Sequence, residues 1–170
     1  MGRIAAIVLA AGEASRFGSP KQRILLPSVL QRLGETSVDE IVVVAGAYKL
    51  ETPANVSVVD CTDWAKGPGA SLRCGVAALA DDVDAAVVVL ADGPSLSSAA
   101  VARVLDVWRR EGGIVAASYE GGRGHPLVVG RAEWRAIPDE GLRVQDVSLV
   151  PCDDLGSPGD VDTPEDLERL

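Results

Sequence analysis

The chain has 170 residues, of which 47% are apolar and only 4% aromatic, and it carries a formal net charge of -9 at pH 7. That length suits one domain able to bury roughly 70% of its unfolded surface, and the acidic balance argues against nucleic acid or an anionic membrane as a partner. Cys61, Cys74 and Cys152 are far apart, odd in number and without a C-x-x-C pair, so they are expected to be buried small hydrophobes in a reduced compartment. The first apolar run is too short for a signal peptide or a membrane span, which makes the expected location cytoplasmic.

Ile4 to Leu9 is a continuous apolar run, as expected of a strand buried on both faces. From Ala10 onward the chain turns to small residues, with Gly12, Gly18, Arg16 and Lys21. Glycines let backbone N–H groups turn inward and the cations neutralise what they meet, so this loop is suited to a polyphosphate. Arg23 to Pro27 reads as a short extended segment before a brief helix, Ser28 to Leu33, ended by Gly34. Glu40 to Ala45 predicts a second buried strand and Val56 to Val59 a weaker third. Leu72, Val76 and Leu79 stand at helical spacing, so a helix is expected to begin near Pro68 to Ser71.

Ala85 to Ala91 is the most apolar run and is expected to be a central strand. Next come a helix from Ser97 or Ser98 to about Arg110, a strand at Ile114 to Ser118 and a glycine-rich loop, Gly121 to Pro126. A short strand at Leu127 to Val129, a short helix at Arg131 to Ile137, and a last strand at Ser148 to Val150 complete the pattern, with a terminal helix from Pro164 capped by Thr163. Strands alternating with helices predict a single-domain, three-layer α/β/α fold with a mostly parallel, Rossmann-like sheet over residues 1–170.

In such a sheet ligands bind outside the carboxyl ends of the strands, where strand order reverses. That rule selects the loop after the first strand, the turn at Gly67 to Ser71, Asp92 and the glycine loop before Leu127. Lys21 is followed by Gln22, so no Walker A hydroxyl is present, and the dinucleotide fingerprint G-x-G-x-x-G is absent as well. Asp92, in A-D-G-P, reads as a Mg²⁺ ligand or as a turn-forming aspartate. Asp162, with Asp160 as a weaker candidate, reads as a second ligand, whereas Glu165 and Asp166 suit a helix N-terminus. Ser71 can contact a base or sugar, or cap its helix. His125, the only histidine, suits a substrate contact or a simple loop position.

These motifs resemble, in order along the whole chain, those of the MobA/MocA-type nucleotidyltransferases. LAAGEASRFGSPKQRILLP resembles the family's LAAG-x-S-x-R-x-G-x-x-K-L-L-L-P segment, and GPGASLRCGVAAL its G-x-x-x-S-L-x-x-G helix start. ADGPSLS resembles its D-Q-P strand end, GGRGHPLV its G-x-R-G-H/N-P loop, DEGLR its G-D-x-G-A-R segment, and DVDTPEDL its final D-x-D-T-P-E-D. The resemblance implies a nucleotide-diphospho-sugar transferase type of fold. It also implies a Mg²⁺-dependent transfer of CMP from CTP to the phosphate of molybdopterin cofactor, with release of pyrophosphate.

By the same resemblance, Leu9, Ala10, Ala11, Gly12, Arg16, Gly18, Lys21 and Ser71 bind the nucleotide, and Asp92 and Asp162 bind the metal. Arg16, Lys21 and Asp92 carry catalysis, and Arg123 and His125 contact substrate. Ala11 favours cytidine, since guanylyl-transferring relatives usually read L-A-G-G. A molybdoenzyme or its chaperone is the implied recipient of the product. The chain departs from the pattern in a shorter stretch between Pro27 and Val38, in Gly93 where Gln is expected, and in Phe17 where Met is usual. Two alternatives remain: transfer of GMP or another nucleotide to a different phosphate acceptor, and a non-catalytic carrier of nucleotide or cofactor.

Overall fold

A computed structural model of the chain describes residues 2–12, 21–143 and 145–170. The expected roles of Arg16 and Gly18, and the Phe17 departure, lie outside the described residues. Strands β1 (Arg3–Ala10), β2 (Glu40–Ala45), β3 (Ser57–Asp60), β4 (Val83–Leu90), β5 (Ile114–Tyr119), β6 (Gly122–Gly130) and β7 (Ser148–Pro151) form one sheet in the order β3-β2-β1-β4-β6-β5-β7. All neighbouring pairs are parallel except those of β6 with β4 and β5. The expected α/β architecture with a mostly parallel sheet is thus what the chain adopts.

Alternation along β1 sends Ile4, Ala6, Val8 and Ala10 into one core layer and Ala5 and Ile7 into the other. The first layer is covered by α1 (Lys21–Gly34) and α3 (Ser98–Glu111), through Leu26, Val29, Leu30 and Leu33 and through Ala100, Val101, Val104 and Leu105. The second is covered by Leu72 and Leu79, from and just beyond α2 (Pro68–Ala77), and by Trp134 on the 3-10 turn Arg131–Ala136. A short terminal helix, α4 (Pro164–Glu168), starts at Thr163, whose hydroxyl accepts from Asp166 N while the Asp166 carboxylate accepts from Thr163 N. Among the described residues no helix is long and apolar enough to cross a membrane.

Three local expectations are corrected. Lys21–Gly34 is one helix with Pro27 inside it, not an extended segment followed by a short helix. An internal proline costs about 3 kcal/mol through its missing N–H and its ring. The five apolar side chains Leu25, Leu26, Val29, Leu30 and Leu33 that this helix buries outweigh the penalty. The glycine-rich stretch before Leu127 is largely strand: β6 runs from Gly122 to Gly130, with Gly122 and Arg123 paired to Tyr119 and Ser118 of β5 and Leu127 to Gly130 paired to β4. Finally, Cys61 and Cys74 are joined by a disulfide with a Cα–Cα distance of 5.8 Å, so only Cys152 is a buried free thiol.

Candidate active site

β1 is followed by a crossover to β2 on one side, while its other neighbour is β4, so strand order reverses between β1 and β4. Ala91 N donates to Leu9 O at 3.1 Å, which ties the two strand ends together at that crevice. Asp92 follows at once, and its own carbonyl accepts from Val161 N at 3.1 Å. The C-terminal segment is thereby brought from the far end of the chain to the mouth of the crevice.

Lys21 opens α1 and is only 7% exposed. Its Nζ donates to Val161 O at 2.5 Å, to Asp162 Oδ1 at 3.1 Å and to Asp92 Oδ2 at 3.4 Å. Asp92, Asp160 and Asp162 each bring a carboxylate oxygen into a group within 4.8 Å of one another. Their mutual proximity has an electrostatic signature: the Asp160 carboxyl is held above the usual carboxylate range by burial and by the charges of Asp92 and Asp162. Three hard oxygen donors of this kind suit Mg²⁺ or Mn²⁺ rather than a soft metal. The two aspartates predicted as ligands do come together, and Asp160, the weaker candidate, joins them with equal geometric claim.

Gln22, which sequence reasoning passed over, braces the start of the loop after β1. Its Nε2 donates to Gly12 O at 2.8 Å, the residue is 5% exposed, and its Oε1 has no partner among the described residues. The only sequence signal was an amide directly after Lys21. Ala10 and Ala11 are each 5% exposed, and Ala11 O accepts from Ala47 N at 3.0 Å. Ser71 is the fourth residue of α2 and is buried; the N-cap is Gly67, so Ser71 does not cap the helix. Gly69 N donates to Asp139 O at 2.9 Å, and Arg73 reaches Ile137 O at 2.9 Å and the Asp139 carboxylate, which fastens α2 to residues 137–141.

β6 carries Arg123 and His125 to the same end of the sheet. A cavity of about 400 Å³ lies between Leu9, Leu72, Leu127 and Leu142, with Arg123 and Arg143 among its lining residues. A second, of about 390 Å³, shares Arg123, Gly124 and His125 with the first and reaches Asp160. Burial, and then the neighbouring Arg123 charge, push the His125 imidazole down to about 4 against an opposing pull from Asp92, so it is neutral near pH 7. A larger cavity, about 830 Å³, lies elsewhere, between α1 and residues 49–56, and is lined by none of the predicted site residues.

Residues 6–144 match the model of the MobA-like NTP transferase domain. Rv0371c from Mycobacterium tuberculosis H37Rv superposes with a TM-score of 0.83 at 26% identity, covering 99% of this chain and 97% of that one. A structure of Rv0371c in complex with manganese gives 0.80 at 25% identity, with the same coverage of 99% and 97%. The 4-diphosphocytidyl-2C-methyl-D-erythritol synthase of Anaerococcus prevotii gives 0.71 at 16% identity, over 99% of this chain and 96% of that one, a likeness of fold. No curated protein matches the sequence significantly. The chain belongs to the MobA-like NTP transferase family.

Proposed function

We propose that this protein is a cytidylyltransferase that moves CMP from CTP to the terminal phosphate of molybdopterin cofactor and releases pyrophosphate. The observation that carries the reading is Lys21 held among Asp92, Asp162 and Val161 O at the crevice between β1 and β4, beside the Ala10 to Gly12 loop. A cation and a carboxylate group side by side suit a substrate that is itself a polyanion accompanied by a divalent metal.

An oxygen of the acceptor phosphate attacks the α-phosphorus of CTP, a new P–O bond forms, and the bond to the β-phosphate breaks with pyrophosphate as leaving group. The acceptor oxygen already bears negative charge, so no side-chain nucleophile or base is needed and positioning carries much of the rate. Lys21 offers its ammonium to charge developing on the phosphates, at the cost of its present ion pairs with Asp92 and Asp162. Asp92, Asp160 and Asp162 would hold Mg²⁺, which when bound neutralises triphosphate charge. Buried Ser71 and the backbone of Gly67 to Gly69 belong to the start of α2, whose Pro68 and Leu72 line one cavity with Leu9 of β1, and are suited to the base and sugar. Ala11 supports cytidine over guanosine.

Pyrophosphate release with CTP, GTP and ATP in turn, each with and without molybdopterin cofactor, tests the reading. Release with CTP alone, dependent on cofactor and lost in Asp92→Ala, is expected. Release with GTP instead moves the assignment to a guanylyltransferase, and nucleotide binding with no release makes the chain a carrier.

A further inference from the structure

The Cys61–Cys74 disulfide joins the two segments assigned to the nucleotide. On one side, Cys61 N donates to Ala45 O at 2.7 Å, at the end of β2, and two residues further Ala47 N donates to Ala11 O at 3.0 Å in the loop after β1. On the other side, Cys74 lies within α2, three residues beyond Ser71. The loop that the disulfide closes therefore contains the whole turn from Gly67 to Ser71. That turn has little room to move, because a Cβ at Gly67 or Gly69 would run into the carbonyls of Asp139 and Pro138. Residues 137–139 hold the start of α2 through Gly69 N and the Arg73 guanidinium, and the disulfide fastens it independently to the β3 end of the sheet.

We propose that the Cys61–Cys74 pair is a redox switch on the nucleotide site: the disulfide holds the Gly67 to Ser71 turn ready to bind, and reduction by a dithiol loosens the turn and weakens nucleotide binding. The proposal rests on the nucleotidyltransferase reading in giving this turn to the nucleotide. Cys61 is 2% exposed whereas Cys74 is only partly buried, so the accessible sulfur is that of Cys74. A thiolate of the dithiol attacks Cys74 Sγ, the bond to Cys61 breaks, and Cys61 leaves as a thiolate that takes up a proton. The second thiolate of the reductant then attacks the mixed disulfide and releases Cys74. Two electrons and two protons pass to the protein, which ends with two thiols, while the reductant ends as a disulfide. The freed Cys61 thiol has an acceptor within reach, Ala70 O, 3.7 Å from its sulfur. Cys152 does not compete, since it is fully buried in the other core layer. Reduction leaves the Gly67 to Ser71 turn to be ordered at the expense of binding, which lowers affinity as any loss of preorganisation does.

CTP with Mg²⁺ is titrated by calorimetry into the wild-type protein before reduction, after reduction with dithiothreitol and after reoxidation, and into Cys74→Ser with and without dithiothreitol. Amide hydrogen exchange of residues 67–72 is followed in the same samples. Expected are CTP binding at least fivefold weaker after reduction, recovery on reoxidation, and affinity in Cys74→Ser equal to that of the reduced protein whether or not dithiothreitol is present. Exchange over residues 67–72 is expected to quicken on reduction and to be fast in Cys74→Ser throughout. A ratio below fivefold between the reduced and oxidised protein overturns the switch. A further loss of CTP affinity when dithiothreitol is added to Cys74→Ser also overturns it, by placing the effect outside the pair. Failure of CTP to bind in either redox state, with exchange quickened as expected, defeats the nucleotide reading and leaves the redox control of the turn standing.

Discussion

Lys21→Met keeps most of the side chain's volume and removes its charge, so it isolates what the cation does for the carboxylate group. The lysine is 7% exposed and loses three partners, Val161 O at 2.5 Å, Asp162 at 3.1 Å and Asp92 at 3.4 Å. Breaking a fully buried pair costs about 3–5 kcal/mol. Here the Asp92 and Asp162 side chains are 26% and 34% exposed, so water takes up part of the loss. We expect about 2–3 kcal/mol in metal-free buffer, a fall in melting temperature of roughly 5–10 °C for a chain of this size. Without the ammonium, Asp92, Asp160 and Asp162 repel one another, and a divalent cation relieves that repulsion. Differential scanning calorimetry in EDTA and then in Mn²⁺ or Mg²⁺ therefore reads a larger metal-induced rise in the variant than in the wild type. A variant that melts within a degree of wild type in EDTA, or equal metal-induced rises in both, refutes the reasoning.

Reduction of the Cys61–Cys74 disulfide opens a loop of sequence separation 13, worth about 3 kcal/mol in loop-closure terms, and urea unfolding with and without reductant measures it. A Cβ at Gly69 runs into the backbone of Pro138, so Gly69→Ala costs about 1–3 kcal/mol, whereas Gly12→Ala, with nothing within 4 Å among the described residues, changes stability by less than about 0.5 kcal/mol in the same assay. For His125 the imidazole pKa falls on folding from 6.5 to about 4, so the unfolded chain binds the extra proton between those values. Its stabilising contribution is full above pH 6.5 and is lost as pH falls toward 4. In His125→Gln the pH dependence of unfolding is flatter across that window, and an unchanged slope contradicts the buried neutral imidazole.

The elements that periodicity describes well were legible from the chain: the apolar runs of β1 and β4, the helical spacing of α2 and α3, and the Thr163 cap. What stayed hidden depends on partners remote in sequence. Pro27 signals a helix boundary locally, and only the core beneath Leu26 and Leu30 overrides it. Gly122 to Pro126 has turn composition, and becomes a strand because β5 lies beside it. The disulfide needs α2 laid against the residue after β3, which no spacing rule reveals. At the site, Asp92 and Lys21 stood out at a strand end and a glycine loop, whereas Asp160 joins them only because Val161 N pairs with Asp92 O. Gly93, where the family pattern has Gln, is explained by the close approach of Pro158, 2.9 Å from where its Cβ would be.

Transfer of the α-phosphate itself tests the central claim most directly. With CTP labelled at the α-phosphate, molybdopterin cofactor and Mg²⁺, the account predicts that label passes to the cofactor in step with unlabelled pyrophosphate, and that Asp92→Ala abolishes both. Label that stays on nucleotide while the protein demonstrably binds CTP and cofactor contradicts it.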